Sequence, residues 1–423
     1  MTEAFLHYIW KHQYFDKKNL KTTQGEPLTI FNPGYHNTDA GPDFKEAKIS
    51  IAGIEWRGQV EIHINASDWQ KHKHQLDKAY NSTVLHVVLK EDDHVKRQDN
   101  TSIPTLELDN RIYLTMIQQY DQLLETSGSI PCDALLAEID DLTKISMIDK
   151  AVMQRLERKS LRIQDFLHET NNNWEETTYQ LLAENFGFKI NAGPFLKLAK
   201  SLPLKIIKKH ADQVEQVEAL LFGQAGFLEE KKGDEYLDKL SKEYNFLQSK
   251  YSLQPISLHE WKFLRLRPAN FPTLRIAQLA SILTESSSLF ASFIQESPKA
   301  IIELLRRETS TYWQNHYQFG ESTSSKLKGL GKSSAILVCI NTVVPLLIAY
   351  SKHIDDQKCT DKAIDLLQFL PAEKNKITHI MDQSGFTQNN AFDTQGAIEL
   401  HNNFCAKSRC LECNIGAKLV KPA

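Results

Sequence analysis

Gly41-Pro42-Asp43-Phe44-Lys-Glu-Ala47-Lys-Ile49-Ser-Ile51-Ala52-Gly53-Ile-Glu-Trp56-Arg-Gly-Gln-Val60-Glu61-Ile62-His63-Ile64 decides the reading of the fold. Ala47, Ile49 and Ile51 alternate with polar residues, Ala52-Gly53 is a turn signal, and Trp56, Val60, Ile62 and Ile64 alternate again. A period of two on both sides of a glycine turn predicts a β-hairpin. Folding about Gly53 carries Asp43 opposite residues 62–64. A one-residue slip reverses every side chain, so the pattern gives proximity rather than a pairing. Asp43 and Glu61 then converge with the imidazole of His63, a donor set suited to a hard divalent cation and to proton handling.

Further out, residues 3–15 predict a short helix with Phe5, Tyr8, Ile9 and His12 on one side, and Leu28-Thr-Ile-Phe31 a strand. A helix is expected near 68–80, a buried strand over 81–89, and an edge strand over 101–109, where Pro104 lacks the N–H a central strand needs. From about residue 112 the periodicity is helical, with helices expected at 145–168, 174–186, 193–200, 204–222 and 229–249. The expected class is α+β: a mixed sheet flanked by helices in residues 1–111, a helical middle region in 112–250, and a helical region in 251–423 ending in a cysteine-rich loop.

The N-terminal pattern resembles the PD-(D/E)XK nuclease superfamily, in which an Asp on one strand and a Glu-x-Lys on the next bind Mg²⁺ and activate water against a phosphodiester. Gly41-Pro42-Asp43 matches the first element and Glu61-Ile62-His63 the second, with His63 in place of the lysine. A histidine carries only part of a positive charge at neutral pH. The resemblance implies a restriction-endonuclease-like sheet, Asp43, Glu61 and His63 as catalytic residues, and Mg²⁺ or Mn²⁺ on Asp43 and Glu61. Asp68-Trp69-Gln-Lys-His72-Lys-His74 is similar to the Trp/His-rich segment of very-short-patch repair endonucleases, which implies accessory roles for His72 and His74. Together the GPDF, VEIH and DW-x2-H-x-H elements resemble a bacterial family of unknown function. Each element alone has a plainer reading: a turn at Gly-Pro-Asp, a solvent-facing strand edge at Glu61 and His63, a solvated helix face at His72 and His74.

Two segments of the helical part offer phosphate contacts. In Trp261–Arg275 two prolines and Asn270 interrupt a helix, and Arg265, Arg267 and Arg275 beside aromatics suit bidentate phosphate binding, or carboxylates and helix ends at an elbow. Gly329-Leu330-Gly331-Lys332-Ser333-Ser334-Ala335 has the glycine spacing of a tight turn entering a helix, whose first N–H groups face a phosphate. This C-terminal part resembles the helix-hairpin-helix DNA glycosylases. Ser333 and Ser351 stand where those enzymes have a catalytic Lys and Asp, which argues against base excision. The candidate nucleic-acid residues are Gly329, Gly331, Lys332, Ser333, Arg265 and Arg267. Lys150, Arg155, Arg158, Lys159 and Arg162 form one side of the 145–168 helix, either a solvated face or a phosphate track.

His401-Asn-Asn-Phe-Cys405-Ala-Lys-Ser-Arg-Cys410-Leu-Glu-Cys413 carries the remaining chemistry. His-x3-Cys spans one helical turn and Cys-x2-Cys is a chelating turn, so His401, Cys405, Cys410 and Cys413 suit a tetrahedral Zn²⁺ site. The run is similar to the iron–sulfur loop of the glycosylases, with a shorter first spacing and Leu419 where the last cysteine is expected. A distant cysteine such as Cys132 then completes an iron–sulfur cluster. Reduced cysteines without metal are the plain alternative, and for Cys132, Cys339 and Cys359 taken singly burial as small apolar groups is the expectation.

Composition bounds these readings. With 423 residues, 41% hydrophobic and 24% charged, the chain suits two or three domains with substantial cores. A net charge of −3 excludes a globally basic nucleic-acid coat, so DNA contacts must be local. Six cysteines, three of them clustered, fit a reducing compartment with a metal site. Residues 335–350, the longest apolar run, are interrupted by Asn341, Thr342 and Pro345, and the first residues lack a signal-peptide pattern. The expectation is a cytoplasmic protein without a membrane span. The function expected is a metal-dependent nuclease acting on DNA in repair or processing. The alternatives are a non-catalytic DNA-binding repair scaffold with a degenerate site, and a histidine-rich, oxygenase-like metal site on His63, His72, His74 and His86.

Overall fold

The computed structural model describes residues 1–422 apart from 126–127, 230–233, 325 and 328. Helix α1 (Glu3–His12) is followed by strands β1 (Leu28–Asn32), β2 (Tyr35–His36), β3 (Phe44–Ile51) and β4 (Ile54–Asn65). The expected hairpin is β3–β4, antiparallel from Ile51↔Ile54 to Phe44↔Val60. Ala52 and Gly53 both take positive φ, 50° and 82°, as a two-residue hairpin turn matching strand twist requires. A connection containing one helical turn, α2 (Asp68–Lys71), and two 3-10 turns (His74–Leu76, Lys78–Tyr80) crosses to β5 (Thr83–Lys90), which pairs parallel with β4. β6 (Thr105–Glu107) adds parallel to β5 at the expected edge. The sheet is therefore mixed, six-stranded, in the order β1-β3-β4-β5-β6 with β2 beside β3. The continuous helix expected near 68–80 does not form, because Lys73 turns left-handed at φ 64° and Asp77 caps a separate turn through the Ala79 N–H.

β4 is buried on both faces from Val60 to His63. Val60 and Ile62 join a core with Phe5, Leu6, Ile9 and Trp10 of α1. His12, expected on the same apolar side, is exposed. Across the sheet, Trp69 and Tyr80 of the crossover pack with Val88, Val95 and Ile103 in a smaller apolar cluster. Glu61 and His63 are thus buried polar groups in a strand whose alternation sends them away from the main core.

The chain divides into two compact units, residues 1–148 with 383–386 and 399–423, and residues 149–382 with 387–398, where the periodicity suggested three consecutive segments. The first unit continues through α3 (Leu114–Glu125), and α4 (Asp141–Glu169) leads into the second. That unit is built from α5 (Trp174–Phe186), α6 (Phe188–Ser201), α7 (Leu204–Lys208), α8 (Val214–Gln224), α9 (Glu235–Tyr251), α10 (Pro272–Glu285), α11 (Leu289–Gln295) and α12 (Pro298–Leu305). A small hairpin, β7 (His316–Gln318) with β8 (Glu321–Ser322), precedes α13 (Lys332–Ile354), α14 (Gln357–Phe369), α15 (Lys376–Gln383) and α16 (Ala391–Asn403). α17 (Asn414–Val420) returns to the first unit, where the Tyr8 hydroxyl donates to Ala417 O at 3.0 Å and Val420 enters the core of α1.

In the second unit α10 is buried at every residue from Pro272 to Leu283. α13 is long and apolar enough to cross a membrane, with mean hydropathy 1.9, contrary to the reading that Asn341, Thr342 and Pro345 interrupt the run. Yet 72% of that stretch is buried in the protein, where Val343, Leu346 and Leu347 pack in the unit's core. The helix expected over 204–222 breaks at 209–213 into α7 and α8, and in the one expected over 229–249, residues 230–233 lie outside the described residues while α9 starts at Glu235. The cationic side of α4 is used within the unit rather than left as an open track. Arg155 donates to Gln395 Oε1 at 2.8 Å, Lys159 to Asn341 Oδ1, and Arg162 pairs with Glu184.

Candidate metal centre

The hairpin register brings Asp43 beside Glu61 and Ile62. The Asp43 N–H donates to Glu61 Oε2 at 3.0 Å, and the Ile62 N–H donates to Asp43 Oδ2 at 2.9 Å, so each strand holds a carboxylate of the other. The crossover that follows β4 delivers His72 and His74 above the same strand. His74 Nε2 lies 3.3 Å from Glu61 Oε1, and His63 Nε2 lies 3.7 Å from that oxygen and 3.2 Å from His72 Nδ1. Donor nitrogens of His63, His72 and His74 all fall within 4.8 Å of one another, the one such group of three among the described residues. β5 contributes His86, which pairs with Glu61 across the parallel ladder and whose Nε2 sits 2.8 Å from His63 Nδ1.

Burial sets the protonation of this cluster. His63 is 1% exposed and Glu61 4%. Burial, reinforced by the neighbouring imidazoles of His86, His74 and His72, pushes His63 down to about 2, and burial with His74 takes His86 down to about 3. Burial raises the Glu61 carboxyl, against the pull of its hydrogen bond with His74. His63 is thus a neutral imidazole. Its Nδ1 is hydrogen-bonded to His86 Nε2, and its Nε2 faces His72 Nδ1 and Glu61 Oε1. Lone pairs meeting at 3.2 to 3.7 Å repel unless a proton or a cation lies between them.

Helix α1 supplies two groups that the sequence reading did not single out. His7 Nε2 stands 3.2 Å from Asp43 Oδ2 as an ion pair rather than an aligned hydrogen bond. Burial lowers its pKa, but Asp43 and then Glu3 outweigh that, and the net shift is upward. Glu3 is itself raised by burial and by Asp43. The i, i+4 spacing of Glu3 and His7 places them on one helix face, but nothing local in the sequence says which strand end that face meets.

The two candidate phosphate segments meet inside the second unit. Arg275 Nη2 donates to Asn270 Oδ1 at 2.6 Å and to Ser334 Oγ at 3.4 Å, Nη1 donates to Gln278 Oε1 at 2.9 Å, and the guanidinium lies 4.7 Å from the Phe188 ring. This joins the 265–275 turn to the first turn of α13 beside a cavity of about 250 Å³. Arg265, Arg267, Lys332 and Ser333 are exposed. Gly331 directly precedes α13, as expected, but the element before this turn is the β7–β8 hairpin rather than a helix. Gly329 has a packing reason of its own, since a Cβ there would meet Arg307 O at 1.9 Å.

At the C-terminal end of the first unit, Cys405 and Cys410 each open a 3-10 turn and Cys413 precedes α17. All are free thiols. His401 Nδ1 lies 3.0 Å from Asn402 Oδ1, and its Nε2 is buried without a hydrogen-bond partner.

No functionally curated protein and no solved structure matches the chain. A family described as a protein of unknown function, DUF2851, matches residues 3–376, the stretch that contains every donor of the histidine–carboxylate site, and the chain belongs to that family.

Proposed function

We propose that the chain is a metal-dependent nuclease that hydrolyses phosphodiester bonds of DNA, in repair or processing, at the site built on Glu61, His63, His72 and His74. The observation that carries this reading is the convergence of one carboxylate oxygen and three imidazole nitrogens over a buried parallel strand pair. The donors fit a divalent cation, and their nitrogen content favours Mn²⁺ over Mg²⁺, which takes oxygen ligands and keeps its water. A cation bound there supplies Lewis acidity toward a phosphoryl oxygen and makes water a better nucleophile.

The remaining work falls to the chain's own groups. His86 fixes the ring of His63, and the paired backbone bonds keep Asp43 and Glu61 in register. Asp43 Oδ2 is taken by Ile62 and His7, which leaves the other oxygen to orient water or complete the ligand set. His7 takes the place of the lysine that the PD-(D/E)XK pattern carries, facing a phosphate oxygen from α1 instead of from β4. Arg265, Arg267, Lys332 and Ser333, with the turn at Gly329 and Gly331, are the proposed DNA contacts of the second unit. The oxygenase-like reading draws on the same three histidines, but Glu61 stays among them and His86 stands behind His63 rather than in the group.

The test is incubation of the full chain with labelled linear, nicked and single-stranded DNA in Mn²⁺ or Mg²⁺, beside Glu61→Gln and His74→Ala. Cleavage that is faster in Mn²⁺ and falls on the order of a hundredfold or more in each variant is the expected result. Undiminished cleavage in both variants removes the site from the chemistry, and tight DNA binding without cleavage in either cation establishes the scaffold instead.

A further inference from the structure

Four of the six cysteines belong to the first unit, one from before the chain leaves it and three from after its return. Cys132 lies between α3 and α4, at the start of a 3-10 segment, and its carbonyl accepts from the Leu135 N–H at 2.9 Å. Cys405 and Cys410 hold tight turns in the same manner, accepting from Ser408 N–H at 3.0 Å and Cys413 N–H at 3.2 Å, and Ser408 turns left-handed at φ 50° to bring the chain round. Gly416 lets α17 pass directly over Cys410, because a Cβ there would meet Cys410 O at 2.2 Å. Cys410 and Cys413 are each 7% exposed, Cys410 is part of the apolar core of the first unit, and Cys132 packs against that core.

One apolar core brings them together: Cys410 lies in it, Cys132, Leu411 and Ala417 pack against it, and the Cys413 N–H donates to Cys410 O at 3.2 Å. Cys339 lies instead in the core of the second unit, and Cys359 packs against that second core. The convergence is therefore selective.

We propose that Cys132, Cys405, Cys410 and Cys413 hold an iron–sulfur cluster that fastens the C-terminal segment to the first unit. Four cysteine thiolates are the ligand set of a [4Fe–4S] cluster. A single tetrahedral zinc with bonds of about 2.3 Å draws its four sulfurs to within about 4 Å of one another. Among the described residues the histidines alone form a group of three ligand atoms within 4.8 Å, so no three of these thiols are drawn together as a single zinc draws its sulfurs. Cys132, packed against the core that holds Cys410, takes the fourth position, as in the iron–sulfur alternative, in place of the His401 of the zinc alternative. The site is independent of the nuclease reading.

The experiment is anaerobic purification of the full chain, with iron, zinc and acid-labile sulfide measured beside the visible spectrum, for the natural protein and for Cys132→Ser, Cys410→Ser, His401→Ala and Cys359→Ser. The natural protein is expected to be brown, with about four iron and four sulfide per chain. Colour and sulfide should be lost in Cys132→Ser and Cys410→Ser and kept in His401→Ala and Cys359→Ser. The measurement on the natural protein does not depend on any variant folding. One zinc per chain without sulfide, no metal after reconstitution with iron and sulfide, or a full cluster in Cys132→Ser would each overturn the proposal.

Discussion

His63 shows most clearly how a residue's role depends on what surrounds it. Read in sequence, it is a histidine at a lysine's position, one of several polar residues alternating along a strand. In the fold it is almost fully buried, wedged between His86 and His72, and pushed down to about 2, so it is a neutral donor rather than a weakened lysine. Asp43, Glu61 and His63 were legible because a two-residue period and one glycine turn place them together. His72 and His74 were legible through the Trp/His-rich run that carries them, as accessory residues implied by its resemblance. Glu3 and His7 were not, since their partners lie on other elements and no local periodicity encodes a contact between elements. The same limit applies to Glu218, an acid in an apolar helix whose buried Oε2 accepts from Tyr236 at 2.5 Å and Trp313 at 3.1 Å. Burial raises its pKa from 4.5 to about 7. The folded state then holds the proton more tightly than the unfolded chain, so Glu218 supports folding fully below pH 4.5 and loses that support as pH rises to about 7. Glu218→Gln is expected to flatten the dependence of denaturation midpoint on pH over this range and to be more stable at pH 8 by up to about 3 kcal/mol. A parallel loss of stability with pH in the variant would place the titration elsewhere.

At the scale of elements, the segments that the sequence predicted well are those whose period continues through their whole length. The β3–β4 hairpin, β5, α4 and α5 are of this kind. The errors fall where a single residue interrupts the pattern: Lys73 at φ 64° divides the expected 68–80 helix, and Gly320 at φ 72° turns the small β7–β8 hairpin inside a stretch read as helical. The break near Lys73 has a functional consequence, because the turns it creates carry His74 down to Glu61. The same precision holds between strands. Gly58 begins the close approach of β4 to β5, and a Cβ there would meet Val84 Cγ1 at 2.4 Å and Ser82 O at 2.5 Å. Gly58→Ala should therefore cost about 1–3 kcal/mol, read as a lowered midpoint in thermal denaturation. An unchanged midpoint would mean that β5 yields without cost.

The whole molecule is organised by a chain that leaves its first unit near residue 148, rejoins it briefly at 383–386 and returns to it at 399. Local periodicity carries no record of that return, which is why the sequence suggested consecutive segments and why Cys132 stood only as one alternative partner of the C-terminal cysteines. Both proposed metal sites are confined to the first unit, one under the crossover of the sheet and one where the chain comes back. Only the first bears on the chemistry. Calorimetric titration of Mn²⁺ into the metal-free full chain measures directly whether Glu61, His63, His72 and His74 form one cation site. One binding event per chain, retained in Cys410→Ser and lost in both Glu61→Gln and His63→Ala, is the predicted result. No Mn²⁺ binding by the natural protein, or the same binding in all four proteins, would contradict it.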